Sequence, residues 1–198
     1  MVDRQKRETL RSFAAVGAGS SLLGLADGDR GESDAREAIA GYVETTPGAH
    51  FSKIRDDLGL ATGETQYHLR RLVDTDVLED DRDGNYRRYF AAGAFSAFER
   101  TVLGFLRRDT DREIVLSTLA APERTGRELA ADLGVSGATI SAARSEMAEA
   151  GVLNREAGYQ VQQPATVIAL LLRYAGSFDE RTRTFAKTAP ELLAYDPD

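Results

Sequence analysis

The chain repeats itself. When the numbering is shifted by 75, landmarks of one half fall on landmarks of the other. Ile39 meets Ile114, Pro47 meets Pro122 and Ile54 meets Leu129. Leu58-Gly59-Leu60 meets Leu133-Gly134-Val135, Leu72 meets Met147, and Val77-Leu78 meets Val152-Leu153. No gap is needed anywhere in the span. One or two such matches arise by chance, but an ordered set of apolar, Gly and Pro positions marks a duplicated supersecondary unit. Whatever the first half folds into, the second half must be able to follow.

The first copy gives the local plan. Asp34 and Glu37 open a helix from Ser33 that carries Ile39 and Val43 inward and is stopped by Thr45-Thr46-Pro47-Gly48. A second helix runs from His50 to Leu58 with Phe51, Ile54 and Leu58 at helical spacing, and Gly59 closes it. A third spans Thr62 to Asp74, with Thr65, Leu69 and Leu72 inward and His68 read as a packed residue. Val77 to Glu79 reads as a short strand and Asp80 to Asn85 as a turn containing the hairpin pair Asp83-Gly84. Tyr86 to Phe90 is the returning strand. In the second copy Thr110 with Glu113 and Thr125 with Glu128 read as capping boxes, and Ser136 as an N-cap. A shorter hairpin there runs from Val152 to Val161 and turns near Ala157-Gly158.

Each copy is therefore helix, helix, Gly turn, helix, two-stranded hairpin, the plan of a winged helix-turn-helix. The expected fold class is mainly α with short β-hairpins (α+β). The expected division is an N-terminal helix and linker over 1–32, a first winged unit over 33–92, a connecting helix over 93–109, a second winged unit over 110–163 and a C-terminal helical segment over 164–198. The connecting helix carries Phe95, Phe98, Val102 and Phe105 behind a Ser96–Glu99 capping box. Pro164 suits the first turn of a C-terminal helix whose stripe of Val167, Leu170, Leu171 and Tyr174 serves either packing within the chain or a dimer contact.

Composition narrows the function. Without Cys there is no disulfide, thiolate metal site or thiol switch, and with only His50 and His68 no metal-ligand spacing stands out. No HExxH, GxSxG or P-loop pattern is present, so no enzyme, no metal and no cofactor are expected. The N-terminal stretch Phe13 to Ala26 follows basic residues as a leader would. It lacks an adjacent Arg pair, is broken by Gly17, Gly19 and Gly24, and is too short to span a bilayer, so a cytoplasmic protein with no membrane partner is expected. The net charge of −7 has the wrong sign for phosphate binding. Lys occurs only at Lys6, Lys53 and Lys187, and this acidic, Arg-over-Lys balance resembles proteins of salt-loving archaea. In such a protein the positions of the Arg residues matter more than the sum.

The stretch HFSKIRDDLGLATGETQYHLRRLVDTDVLEDDRDGNYRRYF resembles the core of archaeal winged helix-turn-helix regulators of the broad MarR/ArsR type, and LAADLGVSGATISAARSEMAEAGVL is similar to a MarR-type core. The resemblance covers residues 34–163 and implies a tandem transcription regulator that binds double-stranded DNA, as a dimer in that family. A homodimer through the C-terminal or connecting helix is the corresponding expectation. On the third helix the face opposite Thr65, Leu69 and Leu72 presents Thr62, Gly63, Gln66, Tyr67 and Arg70, with Arg71 to one side. Gln66 can pair bidentately with adenine, Arg70 can reach guanine or phosphate, and Arg71 suits a phosphate. Arg82, Arg87 and Arg88 of the hairpin are backbone-positioning candidates. The hairpin acids Asp80, Asp81 and Asp83 depart from the usual basic wing. The second copy offers Gly137, Ser141, Ala142 and Ser145 on the equivalent face, with Arg144 where the first has Leu69, and Glu146 and Glu149 beyond; it reads as a scaffold or dimer element. The competing reading is a protein-interaction adaptor on the same fold.

Overall fold

The computed structural model describes residues 12–13, 30–156 and 158–192. The reading of residues 1–32 as helix and linker lies almost wholly outside them. By contacts the chain divides into a unit ending at Ser96 and a unit starting at Ala97.

The first unit opens with α1 (Arg30–Thr45). It begins three residues before the expected Ser33, because no proline interrupts the segment and the helix runs back through it. β1 (Ala49–His50) follows, then α2 (Phe51–Leu58) and α3 (Thr62–Asp74). β1 was not foreseen: His50, read as the first helical residue, is instead an extended N-cap whose Nδ1 accepts the Lys53 N–H at 3.3 Å. Gly59 closes α2 in the left-handed conformation at φ 62°, and its residue type is what that cap requires. The helices bury one core, with Ile39, Val43, Ile54, Leu69 and Leu72 at 0 or 1% exposure. Burying such side chains contributes roughly 1.5–3 kcal/mol each. Phe13 packs edge-on against Tyr42 at the margin of this core, 5.2 Å between centroids.

β2 (Leu78–Asp83) and β3 (Tyr86–Ala91) form a hairpin, and β1 adds to β3, giving the antiparallel order β1-β3-β2. The ladder runs from Leu78 opposite Ala91 to Asp83 opposite Tyr86. The expected turn of Asp80–Asn85 thus shrinks to Gly84 and Asn85, with Gly84 at φ 58°. The acidic run belongs to the strand because it has cross-strand partners: Arg87 holds Asp80 and Arg88 holds Asp83.

The second unit contains α4 (Ala97–Leu106), α5 (Asp109–Ala120), α6 (Gly126–Leu133), α7 (Gly137–Glu149), the short β4 (Leu153–Asn154) and β5 (Gln160–Val161), then α8 (Pro164–Tyr174) and α9 (Glu180–Leu192). The helix read as a connector groups here, packing on α5 and α8; Phe95 precedes it and packs on Phe90 in the first unit, 5.9 Å between centroids. The bounds of α6 and α7 equal those of α2 and α3 shifted by 75. Gly134 repeats the left-handed cap at φ 66°. The hydrogen bond from Leu60 N–H to Arg55 O (3.0 Å) returns as Val135 to Ala130 (3.1 Å). The bond from Val77 N–H to Leu72 O (2.9 Å) returns as Val152 to Met147 (2.8 Å).

Thr125 with Glu128 forms the expected capping box, and Ser136 caps α7. The Thr110–Glu113 box does not form. α5 starts at Asp109 behind an extended Arg108, and the Glu113 carboxylate turns to Arg181 at 2.9 Å. Pro164 does stand in the first turn of α8, and Val167, Leu170, Leu171 and Tyr174 are buried within the unit, which favours packing within the chain over a dimer contact for that stripe. Beyond α8, Asp179 caps α9 by accepting the Thr182 N–H at 2.8 Å and takes Arg112 at 2.6 Å. Burial opposes ionisation of Asp179, but the Thr182 amide, the Arg112 guanidinium and the Thr182 hydroxyl outweigh it and hold its pKa at about 2. No helix among the described residues is long and apolar enough to cross a membrane.

Candidate nucleic-acid interface

The interface candidate is built on α3. Its inner face is sealed: Thr65, His68, Leu69 and Leu72 are all 2% exposed or less. Thr65 donates its hydroxyl proton to Ala61 O at 2.9 Å, satisfying a buried polar group locally. At the amino end the Ala61 N–H donates to Glu64 at 3.3 Å. His68 is packed, as expected, with its ring 5.1 Å from that of Tyr67. The outer face exposes Thr62, Gly63, Gln66, Tyr67, Arg70 and Arg71 together. A Cβ added at Gly63 would meet nothing within 4 Å, so the first turn presents bare backbone to an approaching ligand. Arg71 donates to the Tyr67 hydroxyl one turn back at 3.1 Å, which fixes both side chains along the helix edge. Among the described residues Arg70 has no ion pair.

The hairpin is less uniform than expected. Arg82 and Arg87 stand opposite each other on the exposed part of the ladder. Arg87 is occupied by Asp80, with its second contact at 2.6 Å, and that hydrogen bond raises the guanidinium pKa further. Arg88 corrects the sequence reading. It is 3% exposed, pairs with Asp83 and donates to Gly48 O at 3.0 Å. Tyr86, Arg88 and Phe90 share a face, Phe90 is buried, and β3 is the middle strand, with β1 pairing its other edge and His50 opposite Arg88. Arg88 is thus a brace and not a solvent-facing phosphate contact. A strand pattern ending in a buried Phe was the available signal.

Tyr86 takes the exposed place that Arg88 does not. Its ring lies 4.8 Å from that of His50 at 31°, with the Arg88 guanidinium 5.7 Å from its centroid. Burial, then Arg88, then Lys53, lower the pKa of His50 below its usual 6.5, which keeps Nδ1 available as the cap acceptor of α2.

The equivalent face in the second unit differs. Gly137, Ser141 and Ala142 are exposed and Ser145 is half-buried. Arg144 is 7% exposed, stacked 4.9 Å over Tyr159 and donating to Arg124 O at 3.2 Å, and burial lowers its pKa. Arg155 reaches back to Ser145 O and Oγ at 3.0 Å. Glu146 binds Arg108 at 2.7 Å. The face therefore carries small side chains and cations turned inward or already held.

Residues 33–103 match the family model HTH_HVO_0163_N, an N-terminal HTH domain. The chain carries a helix-turn-helix domain over these residues. The match takes in α1 to β3 and most of α4, so α2 and α3 form the two helices about the Gly59 turn. It spans a little over a third of the 198 residues. No curated protein matches the chain significantly.

Proposed function

We propose that this protein is a sequence-specific DNA-binding transcription regulator of the MarR/ArsR-like kind. In this reading α3 is the recognition helix and the β2–β3 hairpin its wing. The observation that carries it is α3 itself. A helix sealed on one face exposes Gln66, Tyr67, Arg70 and Arg71 on the other, within a matched HTH domain. Such a face supplies a bidentate adenine reader, a cation for guanine or phosphate, and a flanking phosphate contact. The residues 75 positions on form a second, tandem winged unit whose surface has lost its readers and which serves as scaffold. The protein catalyses no reaction, works in the cytoplasm of a salt-adapted archaeal cell, and pairs as a homodimer on DNA.

Selection of duplexes from a random-sequence pool at high salt, followed by a gel shift, tests this. One sequence class is enriched, and Gln66→Ala with Arg70→Ala removes its preference; recovery of no preferred sequence at any salt would defeat the proposal. The wing's self-cancelling charge favours the rival reading, an adaptor that binds protein. That reading wins if affinity capture returns one stoichiometric protein partner while DNA selection fails.

A further inference from the structure

Among the described residues the exposed large apolar side chains are Tyr67 at 49% and Tyr86 at 51%. Both stand on the candidate interface, one on α3 and one at the start of β3. Neither is loose: Arg71 holds the Tyr67 hydroxyl and His50 supports the Tyr86 ring.

The charges around them are sparse. In the hairpin Glu79, Asp80, Asp81 and Asp83 formally outweigh Arg82, Arg87 and Arg88, and two of those Arg residues are bound to the acids. On α2 the Lys53 ammonium is held by Asp57 at 2.9 Å. On α3 and the hairpin, Arg70, Arg71 and Arg82 are the exposed guanidinium groups with no carboxylate partner among the described residues. A surface with so few available cations cannot grip a duplex mainly by neutralising phosphates. A half-exposed tyrosine offers another source of affinity. Its ring gains by leaving water, and its hydroxyl still bonds at a wet interface.

We infer that Tyr67 and Tyr86 are the aromatic contacts by which the first unit holds duplex DNA, Tyr67 against base edges and Tyr86 against the sugar-phosphate backbone. Phosphate neutralisation is left to Arg70, Arg71 and Arg82. The inference rests on the DNA reading above. It adds Tyr86, which the sequence reading placed only as the start of a strand, and it sets a salt response. Three neutralised phosphates per chain give a slope of log K against log salt of about −3.

The probe is a duplex selected by the full-length wild-type chain from a random-sequence pool, followed by fluorescence anisotropy over a potassium chloride series. The wild type binds with a slope of about −3 per chain. Tyr86→Ala and Tyr67→Ala each weaken binding about tenfold at every salt without changing the slope, whereas Tyr86→Phe stays within about twofold. Arg82→Gln reduces the magnitude of the slope by about one. Circular dichroism checks folding; should Tyr86→Ala be unfolded, Tyr86→Leu, which keeps apolar bulk on the strand, shows the same loss. Wild-type binding with Tyr86→Ala or Tyr86→Leu unimpaired overturns the inference alone, as does a slope steeper than about −6. Unchanged DNA affinity with lost self-association in the tyrosine variants overturns it in favour of a protein contact. A wild type that binds no duplex at any salt removes the DNA reading and this inference with it.

Discussion

α2 with α3, and α6 with α7, are the same backbone decorated in two ways. Their ends, left-handed glycine caps and closing hydrogen bonds agree across the 75-residue shift. The buried positions agree in kind at Ile54 and Leu129 and at Leu72 and Met147, yet Leu69 is answered by Arg144 and Thr65 by Ile140. The scaffold is thus held by a few apolar anchors and one glycine. The other positions, even a buried one, are free to follow the demands of each surface. A guanidinium at the Leu69-equivalent position is met by Tyr159 of the short hairpin, which lies over it, and by Arg124 O, which accepts from it.

The largest effect should come from forcing that exchange. Leu69→Arg in the first unit puts a guanidinium at a position 1% exposed, and a buried charge without a partner costs more than about 4 kcal/mol. Denaturant unfolding followed by tyrosine fluorescence measures it, and near-normal stability would show that the two sites are interchangeable. Next, Leu72→Ala and Met147→Ala should cost similar amounts, about 2–5 kcal/mol each, since both side chains are fully buried at matching positions. A large disparity would break the equivalence of the two cores. Asp179→Ala should cost about 2 kcal/mol by removing the cap of α9 and the partner of Arg112.

Asp179 also gives the second unit a sensitivity to acid. Its folded pKa of about 2 lies below the ordinary 3.8, so it contributes stability in full above the ordinary value and loses it as the pH falls toward 2. Acid titration of the wild type should therefore show a loss in that window that Asp179→Ala lacks. The smallest effect belongs to Arg144→Leu, which restores the first unit's residue type. It should change stability by less than about 1 kcal/mol or raise it, because a buried charge is exchanged for an apolar side chain. A loss of several kcal/mol would mean that the Tyr159 stack is a principal support of the second unit.

The sequence made the helices legible because their signals are local or periodic. The limits of α3, the Gly59 and Gly134 caps and the Thr125 box all follow from residue type and spacing. So did the outer face of α3, where the inward stripe fixes its complement. What escaped depends on partners distant in the chain. β1 is two residues long and exists only because β3 is there to pair with it. Arg88 looked like its neighbours Arg82 and Arg87 until a middle-strand position buried it. Asp80 and Asp83 looked like a turn because their Arg partners lie across the ladder. The Thr110–Glu113 pattern matched a cap, but Arg181, far along the chain, competes for the carboxylate.

The brace at Arg88 reaches beyond its own contacts. By tying Asp83 at the end of β2 to Gly48 O ahead of β1, it joins the hairpin to the body of the first unit through a third strand. A hairpin so anchored has little orientational freedom to surrender when a partner arrives. The ordering entropy that a loose arm would lose on binding, about 0.5–1.5 kcal/mol for each side chain immobilised, has largely been spent during folding. Under the proposed function, the weakly charged hairpin contributes through preorganisation what it lacks in Coulombic attraction.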